Sequence, residues 1–307
     1  MSLKSAIIST AFASVLAFTA PAFADLAVHT YSSPDPDSVN TFAVETDEGL
    51  VVISTQRTFS EARNAVARME RTGLPVAAIV IPVPHTDHFG GLSAFREAFP
   101  EVPVYASKAT IKSMKTDGEG YIASRKSALG DNFPSQEQVT AALPDRVLED
   151  GAVLEFGDVR FKTIEVPNAN APSNTMLYVA EEGALFSVEV VEDGVTAFLK
   201  DADLDGWIET VEGLKTRLPD LETVYGAHNA PAPADYAISQ QLAHLNAYRS
   251  ALDEALADGE MTDAERAEAV AAIDAAFPDH AQVARVDRAR LIGLNLDWQA
   301  EKRSRSN

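Results

Sequence analysis

The stretch IPVPHTDHFGG, residues 81–91, places two histidines and an aspartate within four positions. It overlaps the end of a continuous apolar run, PVAAIVIP at residues 75–82, which is typical of a strand buried on both faces. Imidazole nitrogen and carboxylate oxygen both bind zinc and similar divalent ions. Open α/β sheets also place their sites where loops leave the carboxyl ends of buried strands. The stretch therefore predicts a metal site that involves His85, Asp87 and His88.

Around this stretch, strand-like and helix-like patterns alternate along the chain. Residues 58–73 predict a helix, in which Thr58 and Glu61 have capping-box spacing. Four strand-like runs follow between residues 152 and 191, and the run ETVYGAH ends at His228. Long helices are expected from about residue 236 to the C-terminus. The alternation predicts layered α/β packing.

One polar stretch, residues 115–146, interrupts this alternation and predicts irregular structure. Its glycines and proline are typical of loops. Two interpretations remain open for it. It is either a mobile flap over the site or a surface excursion.

The run VPHTDHFGG, residues 83–91, resembles the H-x-H-x-D-H-x-G-G signature of the metallo-β-lactamase-like hydrolase superfamily. The order of the surrounding strands is similar as well, from about residue 37 to residue 232. The resemblance implies a four-layer αββα sandwich in residues 25–235. Residues 236–307 would form a helical extension packed on that sandwich.

Two histidine positions of the family pattern are changed in this chain. Val83 stands at the first histidine of the signature, and Asn170 stands at a later histidine, in the turn PNANAP. The bridging aspartate of the family normally follows F-S-G. Here the stretch is FSVEV, and Glu189 takes that position. The last histidine of the pattern matches His228.

The surviving positions imply one metal where the family normally binds two, and zinc is the expected ion. Its ligand set would be Asp87, His88, Glu189 and His228, with His85 beside them. The expected reaction is hydrolysis of an activated carbonyl in a small molecule, such as a lactone, lactam, ester or thioester. With Asp87 holding the metal, His85 would act as a general base or as a donor to an oxyanion. Asn170 would orient the substrate through its amide.

The loss of two ligand positions also leaves a different function open. A degenerate member of the family would keep the fold and bind a ligand without turnover, because a fold does not by itself carry an activity.

A second metal-binding pattern occurs in DADLDGWIETVE, residues 201–212. Asp201, Asp203, Asp205 and Glu212 have the spacing of a calcium loop, and Gly206 stands at its turn position. The alternative is an acidic loop that caps the following helix, where carboxylates offset the helix dipole. The residues before it lack a clear helix, which favours the helix cap over a calcium-binding loop.

The first 24 residues resemble a secretory signal peptide, with Lys4 before an apolar run and AFA at residues 22–24 as the cleavage site. The mature chain would then begin at Asp25 and reside in the periplasm or outside the cell, without a membrane anchor. The chain has no cysteine, which excludes thiolate ligands and disulfides. Its formal net charge of −21 disfavours nucleic-acid and anionic-membrane partners, because such a surface repels phosphate groups.

Overall fold

The computed structural model describes residues 26–35, 38–118, 120–167, 169–281 and 286–306. The predicted signal peptide, residues 1–24, lies outside the described residues. The described residues form two six-stranded sheets and the helices that cover them.

The first sheet comes from the N-terminal half of the chain. Its strands are β1 (Val28–Ser32), β2 (Asn40–Thr46), β3 (Gly49–Ile53), β4 (Val76–Ile81), β5 (Val104–Ser107) and β6 (Arg146–Leu148). They lie side by side in chain order. The pairs β1–β2 and β2–β3 are antiparallel, and the pairs from β3 to β6 are parallel. The apolar run predicted to be a buried strand is β4, which lies between β3 and β5.

The second sheet contains the remaining strands. They are β7 (Val153–Phe156), β8 (Val159–Val166), β9 (Asn174–Val179), β10 (Ala184–Val188), β11 (Thr223–Gly226) and β12 (Ala232–Pro233). They also lie in chain order, and only the pair β10–β11 is parallel among the strands described for this sheet.

Ten helices connect and cover the sheets in the described part of the chain. They are α1 (Phe59–Glu70), α2 (Thr86–Phe89), α3 (Leu92–Ala98), α4 (Lys108–Thr116), α5 (Tyr121–Leu129), α6 (Gln136–Ala141), α7 (Leu204–Arg217), α8 (Ala234–Ala255), α9 (Asp263–Ala276) and α10 (Arg288–Ser306).

Three apolar clusters fill the spaces between the layers and hold them together. Phe42, Val51 and Val80 of the first sheet pack against Phe161 and Phe186 of the second, and this cluster joins the two sheets. The other face of the first sheet packs on α1, α3 and neighbouring helices. The other face of the second sheet packs on α7, α8 and the helices that follow. The resulting αββα sandwich confirms the predicted fold class.

The predicted cap of α1 is present in part. The side chain of Thr58 accepts a hydrogen bond from the backbone N–H of Glu61, as the capping spacing predicts. The carboxylate of Glu61 does not return to Thr58, because it accepts from the hydroxyls of Tyr31 and Ser33 at 2.8 and 2.7 Å. It therefore ties α1 to the first strand of the sheet and to the loop after it.

Residues 115–146 are more regular than predicted, since they contain the end of α4, all of α5 and α6, and the first residue of β6. Asp117 explains one helix start, because its carboxylate accepts from the backbone N–H groups of Ile122 and Ala123. Ser135 caps α6 with a complete capping box. The helices are short and mostly polar, so their apolar positions are too few to show a period in the sequence.

The C-terminal helices α8, α9 and α10 pack on the cluster below the second sheet. Their presence was predicted from about residue 236 onwards. No helix in the part of the chain described here is both long and apolar enough to cross a membrane.

Candidate metal centre

Helix α2 carries the sequence T-D-H-F directly after β4, and it brings Asp87 and His88 into the interior. Gly90 and Gly91 come next in the chain, and the loop between β3 and α1 passes very close to both. A Cβ atom on Gly90 would lie 2.0 Å from the carbonyl oxygen of Arg57, and one on Gly91 would lie 2.2 Å from that of Thr55. The close approach of this loop leaves no room for a side chain at either position.

The loop between β3 and α1 holds His88 from the other side. The Oγ atom of Ser54 lies 2.7 Å from Nδ1 of His88, and both the hydroxyl and the N–H of Thr55 donate to the carbonyl oxygen of His88. Ser54 and Gln56 have φ values of 69° and 70°, in the left-handed region that such residues rarely adopt. Strain of this kind concentrates at functional sites.

His88 has the environment of a metal-binding histidine. Its side chain is fully buried, and Nδ1 is engaged by Ser54. Nε2 has no hydrogen-bond partner and lies 3.3 Å from Oε1 of Glu189. When Nδ1–H donates to the hydroxyl of Ser54, the lone pair of Nε2 points into the site. A partner on the second nitrogen is what orients most metal-binding histidines.

His85 has a different environment, because carboxylates lie near both of its nitrogens. Nδ1 lies 2.6 Å from Oε2 of Glu189, and Nε2 lies 3.9 Å from Oδ2 of Asp201. Burial alone would lower the pKa of His85, but the charge and the hydrogen bond of Glu189 outweigh burial and raise that pKa to about 9.

Glu189 lies at the centre of the cluster. It also accepts a hydrogen bond from Nδ2 of Asn170 at 2.5 Å. Burial would raise the pKa of Glu189, but the two neighbouring histidines, His85 first, hold it well below its usual range. Val188, just before it, stands at the glycine of the family's F-S-G pattern and keeps a left-handed φ of 56°. A β-branched residue in that conformation costs about 1–2 kcal/mol.

Asp87 is paired with an arginine that the sequence did not single out. An Nη atom of Arg57 lies 3.2 Å from Oδ2 of Asp87, and both side chains are buried. The same guanidinium donates to the hydroxyl of Thr86 at 3.0 Å. Burial would raise the pKa of Asp87, but the charges of Arg57 and of the two histidines, Arg57 first, together outweigh burial and lower that pKa.

The candidate ligands differ in how closely they approach one another. His85, Asp87 and Glu189 each offer an atom within 4.8 Å of the others, and among the described residues no other group of three or more His, Asp or Glu does so. His88 adjoins this trio through Glu189. His228, after β11, lines the same pocket and has its pKa lowered by burial.

His228 is held at its backbone by another acid, because its N–H donates to Oε1 of Glu192 at 3.0 Å. Burial and then the charge of Glu189 raise the pKa of Glu192 well above its usual range. This contact fixes the start of the loop that carries His228.

The two lost histidine positions have new environments. Val83 is fully buried in an apolar cluster with Val188 and Ala171, so nothing polar replaces the first histidine of the signature. Asn170 keeps its side chain in the site, bound to Glu189 through Nδ2 and with Oδ1 unpartnered.

The donor set fits a divalent transition metal. Nε2 of His85, Nε2 of His88 and Oδ1 of Asn170 are buried without hydrogen-bond partners. Buried polar atoms are rarely left in that state unless an ion or a water binds them. Imidazole and carboxylate donors suit zinc and its neighbours.

The pocket over the cluster has walls from parts of the chain that the sequence did not connect with it. Tyr121 and Arg125 come from α5, and Phe198 comes from the segment before α7. The rings of Tyr121 and Phe198 meet the ring of His85 edge-on, with centroids 6.4 and 6.1 Å away. The stretch 115–146 therefore contributes to the site, as the flap interpretation expected, but as a helix.

The four acids of the calcium pattern do not converge. Asp203 caps α7 by accepting from the backbone N–H of Gly206, and Asp201 accepts from the hydroxyl of Tyr121 at 2.5 Å. Asp205 and Glu212 lie within α7, where seven residues span about 10 Å. The geometry is that of the helix cap, the alternative that the sequence favoured.

The family model described as the metallo-beta-lactamase superfamily matches residues 34–228, which is more than half of the chain. The chain belongs to the metallo-beta-lactamase superfamily. Members of this superfamily are generally metal-dependent hydrolases that act on small molecules. The match ends at His228, so the helices α8 to α10 lie beyond it.

Solved structures share the metallo-beta-lactamase fold with this chain. A metallo-beta-lactamase family protein from Thermus thermophilus has a TM-score of 0.64 and 20% identity, over 92% of this chain and 94% of that one. A metallo-beta-lactamase from Pontibacter korlensis has a TM-score of 0.56 and 20% identity, over 71% and 94%. BLEG-1 B3 metallo-beta-lactamase has a TM-score of 0.56 and 18% identity, over 70% and 98%. At these identities the likeness concerns the fold alone.

Proposed function

We propose that this chain is an exported hydrolase of activated carbonyl compounds that works with one divalent metal, most simply zinc. The observation that carries the proposal is the environment of His88, whose Nδ1 is engaged by Ser54 while Nε2 is buried and unpartnered. Asp87, His88, Glu189 and His228 would hold the ion, with His85 beside them. When bound, such an ion lowers the pKa of water to about 7 and polarises a carbonyl group.

The remaining side chains would stabilise the transition state and orient the substrate. His85 is held by Glu189 and lies beneath the aromatic walls of the pocket. A protonated His85 would donate to the oxyanion that forms as the carbonyl is attacked, and a donor placed in this way stabilises the transition state. Asn170 donates to Glu189, which leaves its Oδ1 to accept from a substrate N–H or from water.

The chemistry of the site supports the proposed substrate class. An ion that polarises a carbonyl suits lactones, lactams, esters and thioesters, and aromatic walls suit an apolar acyl group. The net charge of −21 supports a small molecule over a nucleic acid. Export rests on residues 1–24, and N-terminal sequencing of periplasmic or secreted protein should read from Asp25.

One observation favours a second candidate, a binding protein without turnover. Arg57 already places a buried positive charge on Asp87, and that charge competes with a metal for the carboxylate. In this alternative the ion pairs would stabilise the site as they stand, and a small molecule would bind without hydrolysis.

A substrate screen separates the two candidates. The purified chain and its Asp87→Ala variant are supplied with zinc, manganese or iron and tested on lactones, β-lactams, aryl esters and thioesters. The hydrolase proposal expects activity in the parent and none above background in Asp87→Ala, because the variant loses a charged ligand. Equal rates in both proteins with every metal would overturn the proposal for these substrates and favour the binding protein.

A further inference from the structure

The segment 195–203 forms one wall of the pocket without belonging to a sheet. It lies between β10 and α7 and contributes Phe198 to the pocket, while Asp201 approaches His85. Among its described pairings the only bridge of strand type joins Val195 to Ala281. Buried backbone groups outside a sheet still need hydrogen-bond partners.

Side chains of the C-terminal helices supply those partners. The backbone N–H of Ala197 donates to Nε2 of His244 on α8 at 3.2 Å. Asn295 on α10 makes two bonds to the segment, since Oδ1 accepts from the N–H of Leu199 at 2.9 Å and Nδ2 donates to the carbonyl oxygen of Ala197 at 2.7 Å.

The next turn of α10 continues the same pattern. Nε2 of Gln299 donates to the carbonyl oxygens of Leu199 and Ala202 at 2.6 and 3.1 Å. Nζ of Lys302 donates to the carbonyl oxygen of Ala202 at 2.8 Å. Gln299 is buried, as is Asn295, so water cannot readily take their place.

Trp298, between these residues on α10, contacts the wall directly. Its ring meets the ring of Phe198 edge-on at a centroid distance of 5.4 Å, and Phe198 in turn meets His85 at 6.1 Å. A continuous path of contacts therefore runs from the C-terminal helix to the side chain beside the proposed metal.

We propose that α10 positions the pocket wall, so that Asn295, Trp298 and Gln299 fix the segment 195–203 and thereby determine which acyl groups fit against Phe198. The role in substrate choice rests on the proposed hydrolase function, whereas the positioning of the segment does not. The proposal gives a function to helices that lie beyond the residues matched by the family model.

Amide hydrogen exchange tests the positioning without any substrate. In Asn295→Leu the N–H of Leu199 loses its acceptor, so its exchange should become at least about tenfold faster, while amides of β9 keep their rates. The matched control is Glu301→Ala, an exposed position on the same helix, which should leave Leu199 unchanged. Unchanged exchange of Leu199 in a folded Asn295→Leu protein would overturn the proposal.

A second variant avoids the buried hydrogen bonds. Trp298 is only half-buried, and Trp298→Ala removes the contact with Phe198. For aryl esters with a large apolar acyl group, KM should rise about tenfold, because Phe198 loses one aromatic contact and no longer packs firmly against the substrate. KM for acetyl esters, kcat and zinc affinity should stay within about twofold, and Trp298→Phe should restore KM.

The outcomes separate the two proposals. If Trp298→Ala changes KM no more than Glu301→Ala does, or changes KM equally for large and small acyl groups, α10 does not determine substrate choice. If the parent hydrolyses none of the screened compounds, the proposed function fails for them. The exchange of the Leu199 amide would still support or overturn the positioning of the wall.

Discussion

His85 and His88 lie at the two ends of one helical turn and both approach Glu189, yet different groups hold their Nδ1 atoms. His88 is fully buried and contacts a hydroxyl at Nδ1, while its Nε2 has no hydrogen-bond partner and lies 3.3 Å from Oε1 of Glu189. His85 is close to carboxylates at both nitrogens, and its pKa is raised to about 9. A protonated His85 is a partner for anions, whereas the hydroxyl on Nδ1 of His88 can orient its Nε2 towards an ion. The proposed single metal would therefore lie on the His88 side, with His85 beside it.

Two histidine positions of the family pattern are changed in this chain. Val83 has joined an apolar cluster, and Asn170 binds Glu189 through its amide. Nδ1 of His88 contacts the hydroxyl of Ser54. The differences follow from individual residues within one unchanged fold.

The largest expected effect comes from exchanging each histidine for glutamine. His88→Gln should weaken zinc binding by more than about 100-fold, the upper cost of losing an outer partner of a ligand. His85→Gln should keep most of the zinc but slow hydrolysis by about 10²–10⁴-fold, as the loss of an acid–base group does. Isothermal titration with zinc and single-substrate kinetics measure the two effects. The comparison fails if both variants lose zinc to the same extent.

A smaller effect is expected at the hydroxyl that orients His88. Ser54→Ala removes the partner of Nδ1 and should lower zinc affinity by about 10–100-fold, less than His88→Gln does. The left-handed φ of this position persists in the variant, so backbone strain is not relieved. Competition titration against a chelator measures the affinity. An unchanged zinc affinity would mean that Ser54 does not support a ligand.

A third buried histidine, His244, differs from His85 because no carboxylate dominates its surroundings. Burial, and then His280, lower the pKa of His244 to about 3, so its Nε2 stays free to accept from Ala197. The unfolded chain binds a proton near pH 6.5 and the folded chain does not. The contribution of His244 is therefore complete above pH 6.5 and is lost as the pH falls toward 3.

The expected loss is about 2 kcal/mol of unfolding free energy between pH 7.5 and pH 5, relative to a variant that cannot titrate there. The matched variant is His244→Gln, whose side-chain oxygen can accept from Ala197. Urea unfolding of both metal-free proteins at the two pH values gives the difference. Parallel pH dependence in both proteins would show that His244 does not stay neutral in the folded chain.

The sequence predicted the parts that depend on local pattern. The apolar run of β4 and the Thr58 side-chain cap of α1 each carry a short-range signal, and each appears in the structure. The segment with His85, Asp87 and His88 follows β4 as predicted, but residues 86–89 form a short helix. The fold class followed from the resemblance around residues 83–91. The calcium pattern shows the limit of spacing alone, because α7 separates Glu212 from Asp201.

Other parts of the site depend on contacts between distant segments. Arg57 follows β3 and Asp87 follows β4, and the two side chains meet because these strands are neighbours in the sheet. The sequence alone does not show that the two strands pair. Phe198 reaches the pocket through a segment that the C-terminal helices hold, about 100 residues further along the chain. Val188 has a left-handed backbone conformation that suits glycine. A valine in the sequence would not predict that conformation.

The zinc content of the purified chain distinguishes one bound metal from two or none. The protein is loaded with excess zinc, desalted and analysed for zinc per chain by elemental analysis, with His88→Gln and His85→Gln treated alongside. We expect one tightly bound zinc in the parent, one in His85→Gln and none in His88→Gln. Two tightly bound zinc ions in the parent would contradict the single site, and none would mean that Arg57 and the other buried charges have replaced the metal.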